Sequence, residues 1–280
     1  YYHPIIQDIL FKLLIMQYFG QISKMKTTLS APINYMLPIG KKTINVNNLI
    51  GSNIRINFEG EIQCIACSKK IYKTYMQGYC YPCFISLPQT DECVFKPHLC
   101  KAHEGQARDM QWAEKNCLAK TYVYLSLTSN LKVGVTRHSH IPSRWVDQGA
   151  HYAMKLAATP NRYLAGMIEI ELSKYISDRT KWRQMIQGKY ETINLLDKKN
   201  DLLSKIPSGY QEYVIHENDV VELKYPMINK PEKIKSFNLD KMPALSGTLT
   251  GIKGQYIIID NEIVLNIRKY TGYFLTLNHE

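Results

Sequence analysis

Two Cys-x-x-Cys pairs, Cys64/Cys67 and Cys80/Cys83, constrain this chain more than any other feature. Each pair turns the backbone so that both sulfurs face one point. The twelve residues between the pairs let two such knuckles meet around one tetrahedral Zn²⁺, as in a zinc ribbon. Gly78 and Pro82 flank the second pair and suit a tight turn. No strand-helix-strand pattern surrounds either pair, which argues against a redox dithiol. All seven cysteines lie between Cys64 and Cys117, and an odd number in one short stretch argues against a disulfide framework stapling the whole chain. Free thiolates imply a reducing, cytoplasmic compartment.

The remaining thiols, Cys93, Cys100 and Cys117, have His103 close by in sequence, and Cys100-x-x-His103 is acceptable ligand spacing. A second Cys₃His zinc site is one reading. Scattered structural cysteines are the other, and His98 competes for the histidine role. Any site closed by four protein ligands would be structural, with no open position for chemistry. Apolar periodicity is weak from residue 64 to 120, so metal rather than a hydrophobic core is expected to hold that module.

The flanking segments read as an α+β protein. Residues 1–24 open with an apolar run that Asp8 and Lys12 interrupt, too short for the ~20 residues of a membrane span. They read as a leader or upstream extension. Residues 25–63 have strand character, clearest in the alternation of Ile54-Arg-Ile-Asn-Phe58. Residues 121–190 suggest β-β-α-β-α: a hairpin of Thr121 to Leu127 and Lys132 to Thr136 across Ser129-Asn130, a helix opening near Pro142, a strand from His151 to Ala158, and a helix over Asn161 to Ile176. Residues 191–280 are strand-rich, with strands expected at 212–215, 220–225, 247–252, 256–260, 263–267 and 273–277. They suggest a β-barrel or sandwich, with the strands of residues 33–62 as candidate partners.

Thirty-five Lys and Arg against 24 Asp and Glu give a formal charge of +11 and a pI near 9.2, spread along the chain. That balance favours a polyanionic partner, DNA or RNA, over a membrane.

The segment Tyr122-Val-Tyr124-Leu, followed by Lys132-Val-Gly134-Val-Thr136 and then Arg144, resembles the signature of the GIY-YIG nuclease superfamily. The resemblance covers residues 121–185 and implies a divalent-metal-dependent endonuclease. Tyr124 takes the first motif tyrosine, Gly134 the second motif glycine, Arg144 the arginine, and Glu169 the carboxylate that binds Mg²⁺ or Mn²⁺. Lys132 stands where the second tyrosine is usual, and the late asparagine has no clear counterpart, Gln184 being nearest. The residue types themselves suit phosphodiester hydrolysis: an acid for a divalent cation, a cation for developing charge, and a phenol, Tyr124 or Tyr122, for water. Arg137, Arg144 and Lys132 are candidate phosphate contacts. Taken singly, the tyrosines read as strand aromatics, Arg144 as a surface cation and Glu169 as a solvated helix residue. Only their order carries a catalytic reading. The alternatives are a non-catalytic DNA- or RNA-binding module with a degenerate core, and a zinc-stabilised adaptor.

From about residue 45 to 277 the chain is also similar to a bacterial family of unknown function that couples a cysteine-rich module to this core. The similarity rests on Gly78-Tyr-Cys-Tyr-Pro-Cys-Phe84, Lys132-Val-Gly-Val-Thr-Arg137, Arg144-Trp-Val-Asp-Gln-Gly-Ala150, Asp178-Arg-Thr-Lys-Trp-Arg183 and Gly251-Ile-Lys-Gly-Gln-Tyr256. It implies His and Cys where Lys101 and Ala107 stand here, which leaves Cys93, Cys100, His103 and Cys117 as the second ligand set.

Overall fold

The computed structural model describes residues 16–176 and 180–279. Its strands are β1 (Met16–Gln21), β2 (Lys26–Thr28), β3 (Asn34–Ile39), β4 (Lys42–Asn45), β5 (Asn53–Ile62), β6 (Thr121–Leu127), β7 (Leu131–Arg137), β8 (Tyr152–Thr159), β9 (Val221–Glu222), β10 (Lys235–Ser236), β11 (Ala244–Lys253), β12 (Tyr256–Ile259), β13 (Ile263–Asn266) and β14 (Tyr273–His279). The helices are α1 (Tyr81–Ser86), α2 (Met110–Asn116), α3 (Ser143–Asp147), α4 (Arg162–Leu172), α5 (Trp182–Ile186) and α6 (Leu195–Leu203). The fold is mixed α+β with several sheets. No helix among the described residues is long and apolar enough to cross a membrane. The chain divides into two compact units, residues 1–81 with 225–280, and residues 82–224.

The first unit is built on a seven-stranded sheet in the order β1-β14-β5-β11-β12-β13-β10, with a three-stranded sheet β2-β3-β4. Period-two patterning explains its centre. Ile54 and Ile56 of β5 are buried while Arg55 between them is exposed, as alternation across a pleat requires. Ile56 stands opposite Leu277 on one side and Leu245 on the other, so one apolar row crosses three strands. The pairing of early and late strands suggested by the sequence is thus realised through β5. Among the described residues the ladder stays open and closes no barrel, which corrects the barrel expectation. β1 and β10 are its edges.

Residues 16–21, within the segment set aside as an upstream extension, form edge strand β1 on β14. The rest of that apolar run, residues 1–15, lies outside the described residues.

The second unit centres on the antiparallel sheet β7-β6-β8-β9, and the order β6-β7-α3-β8-α4 reproduces the β-β-α-β-α expectation. Every residue of β6 is buried. One face, Val123, Leu125 and Leu127, packs with Leu131 and Val133 of β7, with Ala165, Ile168 and Leu172 of α4, and with Leu195 and Leu202 of α6. The α4 residues recur at helical spacing, which gives that helix one apolar stripe. Burial of Ile168 and Leu172 contributes about 1.5–3 kcal/mol each. Asn161 caps α4, its side chain accepting the Leu164 amide at 2.9 Å.

Two expectations for residues 212–225 need correction. Residues Ser208–Tyr213 form a 3-10 turn, with Val214 making a single bridge to Ala157, and β9 adds to the core sheet beside β8. Residues 191–224 therefore fall in the second unit, not in a C-terminal β domain.

Gly166 marks where α4 meets the cysteine-rich segment. A Cβ there would lie 2.2 Å from the His98 amide nitrogen and 2.5 Å from the Pro97 carbonyl carbon, both backbone atoms that cannot rotate away. Gly166→Ala is expected to destabilise the protein by about 1–3 kcal/mol in urea unfolding, the usual scale of overpacking. Gly209→Ala, with nothing within 4 Å, is the control. Its effect should stay within about 0.5 kcal/mol.

Candidate functional site

The Sγ atoms of Cys64, Cys67, Cys80 and Cys83 lie within 4.8 Å of one another, and all four thiols are free. Two bridges position the first knuckle: the Cys64 amide donates to the Lys69 carbonyl, and the Ser68 amide to the Cys64 carbonyl, both at 2.9 Å. The Cys67 and Cys80 sulfurs are 3.7 Å apart. A tetrahedral Zn²⁺ with Zn–S bonds of about 2.3 Å needs sulfurs about 3.8 Å apart, so the donor set fits the ion. Burial pushes the Cys64 thiol up, but hydrogen bonds from the backbone of Cys80, Cys67 and Ala66 and from the Cys67 side chain outweigh it and bring the group down to about 6. The thiolate that zinc requires is thus favoured before any metal arrives.

Cys93, Cys100 and Cys117 form a second, fully buried cluster within the same distance limit. Short 3-10 turns at Glu92–Val94 and Pro97–Leu99 deliver the first two, and the end of α2 delivers the third. His103 does not join them. Its ring stacks on Tyr163 at 4.3 Å, and its Nε2 lies 3.7 Å from Glu104. The sequence missed Arg162 instead. This residue is 7% exposed, donates to the Cys93 carbonyl at 3.3 Å and the Asn116 carbonyl at 3.0 Å, and reaches the Cys93 sulfur at 3.9 Å. No local signal could reveal it, because its partners lie 46 and 69 residues away. Hydrogen bonds from Cys117 and Cys93 pull the Cys100 thiol far down, and the Arg162 charge acts the same way. Bonds to Cys100 and Cys117 push Cys93 up.

The other face of β6 carries Tyr122, Tyr124 and Ser126, paired across the hairpin with Thr136, Gly134 and Lys132. Lys132 therefore shares the face of both tyrosines. The Tyr124 ring lies over Gly134, where a Cβ would sit 2.7 Å from the phenol oxygen, so this position needs glycine for steric reasons. Trp145 of α3 covers the ring edge-on at 6.1 Å. With its amide oxygen toward the pair, Gln148 accepts from the Tyr124 hydroxyl at 2.7 Å and from Arg144 Nε at 3.0 Å. Burial raises the Tyr124 pKa. The Arg144 charge and hydrogen bond oppose that rise, and the Glu169 charge adds to it. Arg144 and Glu169 thus both act electrostatically on one buried phenol. Gln148 was not singled out from sequence, although its spacing of four from Arg144 places the two within reach across one helical turn.

Tyr122 is more peripheral. Its hydroxyl meets His138 Nδ1 at 3.3 Å, and Lys155 and Lys120 lie 5.1 and 5.5 Å from its ring centre. Arg137 faces His140 at 2.8 Å. Its charge is lowered in stability by burial first and then by Arg162. Gln184 lies in α5, and no bond in the structure links it to Tyr124. Residues 178 and 179 of the Asp178-to-Arg183 motif lie outside the described residues.

The first cluster makes a direct prediction. Purified protein is expected to carry zinc by elemental analysis, and Cys80→Ser should lower the content by one equivalent and expose the module to proteolysis. Structural zinc contributes roughly 10–16 kcal/mol of apparent binding free energy, so its loss unfolds a module with little core of its own. Zinc-free protein with unchanged resistance would overturn the assignment.

The model of one family, described as Protein of unknown function (DUF2797), matches residues 51–275. No curated protein and no solved structure matches the chain. The matched span contains both cysteine clusters and the Tyr124 cluster, and the chain belongs to this DUF2797 family.

Proposed function

We propose that the protein is a zinc-containing nucleic-acid-binding protein whose second unit carries a GIY-YIG-like, divalent-metal-dependent endonuclease site. The observation that carries this reading is the Gln148 side chain joining the buried Tyr124 phenol to Arg144, with the Glu169 charge acting on the same phenol. Lys132 on the same sheet face and the formal charge of +11 support a phosphate-bearing substrate.

Tyr124 stays neutral in this reading, because burial holds its proton. It orients Arg144 through Gln148 rather than acting as a base. Arg144 offsets charge developing on the phosphoryl oxygens, and Lys132 offers a second cation on that face. Tyr122, bonded to His138, is the phenol left to position water. Glu169 supplies one carboxylate, which fits Mg²⁺, an ion commonly held by one or two carboxylates plus substrate phosphates. When bound, the ion would supply charge stabilisation and a polarised water. The second cysteine cluster reads as a further zinc centre.

A second reading, a non-catalytic DNA- or RNA-binding module, is favoured by one observation: Tyr124 is 0% exposed and meets no substrate directly.

The test is incubation of labelled single- and double-stranded DNA and RNA with Mg²⁺ or Mn²⁺. Glu169→Gln is expected to cut cleavage roughly 10²–10³-fold, the scale of losing one preorganised electrostatic contact, with binding largely kept. Arg144→Ala should lower both. Failure of the wild type to cleave any substrate with either metal would leave the binding module. Binding itself should weaken steeply as salt rises, with a log–log slope of about −0.7 to −0.9 per phosphate neutralised. A flat salt response in a filter-binding assay would sink the nucleic-acid reading altogether.

A further inference from the structure

The Cys93, Cys100 and Cys117 sulfurs converge within 4.8 Å, and the same three side chains line a cavity of about 260 Å³. Three sulfurs could fill three positions around a tetrahedral ion, and the cavity they border is where a fourth ligand would enter. Two nearby groups able to close it are held elsewhere. His103 stacks on Tyr163. Asp91, also on the cavity wall, accepts the Cys93 amide at 3.1 Å and pairs with Arg108 at 3.0 Å.

Charge and size define what the position can take. Three thiolates around a divalent cation leave a net charge of −1, which the buried Arg162 guanidinium at Cys93 offsets. Arg108 on the wall is already paired with Asp91, so Lys101 is the wall cation that favours an added anion, and Leu99, Trp112 and Ala113 give it apolar contact. The cavity exceeds the roughly 150 Å³ that admits benzene in an engineered core, so it holds more than a water.

Resting on the reading of this cluster as a metal centre, we infer that it binds Zn²⁺ through Cys93, Cys100 and Cys117 and takes its fourth ligand from the cavity as a small exogenous thiolate. The soft thiolate-rich site matches a soft donor. On binding, the incoming thiol releases its proton to solvent as its sulfur coordinates, and no oxidation state changes. The first cluster, with four thiolates of its own, has no such position.

The experiment loads the full chain with Co²⁺ and titrates it with 2-mercaptoethanol, following metal stoichiometry and the sulfur-to-cobalt charge-transfer band. Two metals per chain are expected, with a saturable spectral change in one of them. Ala107→Cys puts a thiolate on the cavity wall, and should keep both metals while abolishing the response. His103→Ala should alter neither. Two bound metals with no response to thiol in the wild type would show a closed site and overturn the inference while leaving the second metal standing. A response undiminished in Ala107→Cys would equally overturn it, by placing the thiol elsewhere. One metal per chain, unchanged by Ala107→Cys, would remove the second metal and the inference with it.

Discussion

β6 is buried on both faces, and the second unit depends on that double burial. A half-exposed hairpin strand would give the fold an apolar side and leave the tyrosines in water. Here Val123, Leu125 and Leu127 fix α4 and α6, while on the opposite face Tyr124 is enclosed beneath Trp145 of α3 and Tyr122 is buried beside His138. The strand therefore couples core packing to the geometry of the polar cluster. A change in register by one residue would exchange the two faces, putting phenols into the aliphatic core and leucines against Arg144. The pairing of Tyr124 with Gly134 resists such a slip, because only glycine leaves room for the ring.

The two cysteine clusters solve the same electrostatic problem differently. Thiolates held close together repel unless positive charge is supplied. In the first cluster, four sulfurs with backbone donors form a closed tetrahedral set, as spacing alone suggested. In the second, three sulfurs are joined by a guanidinium. Arg162 opens α4, and Gly166 one turn later brings the helix against the Pro97–Leu99 turn that carries Cys100. The cluster and the β6-β7-β8 core consequently share one helix, whose separate stripe of Ala165, Ile168 and Leu172 serves the hydrophobic core.

What the sequence made legible was local. Cys-x-x-Cys geometry, the alternation of Tyr122 to Leu127 and the helical spacing through α4 each depend on residues a few positions apart, and each survives in the structure. What it concealed was long-range. The strand β1 has little meaning without β14, more than two hundred residues later, and β9 reads as part of a C-terminal sheet until β8 claims it. Residues 212–215 carry strand-like residues, yet the turn beginning after Pro207 sets their backbone instead. His103 had acceptable ligand spacing, but stacking on Tyr163 holds its ring away from the thiols. Spacing determines which ligands can reach one another, and packing determines which do.

The same distinction bears on Lys132, which occupies the position of an expected phenol. A second tyrosine there would face Ser126 across the strand pair, on the side where Tyr124 is already enclosed by Trp145 and Gln148. A lysine is longer, and its ammonium end is strongly hydrated, so its stem can lie along the sheet while its charge reaches solvent. That substitution exchanges a group able to handle protons for one able to attract phosphate. Tyr122, on the same face, meets an exposed histidine, His138, through its hydroxyl. The face thus carries a buried phenol, a second phenol bonded to a histidine, and a lysine where the motif resemblance leads one to expect a ring.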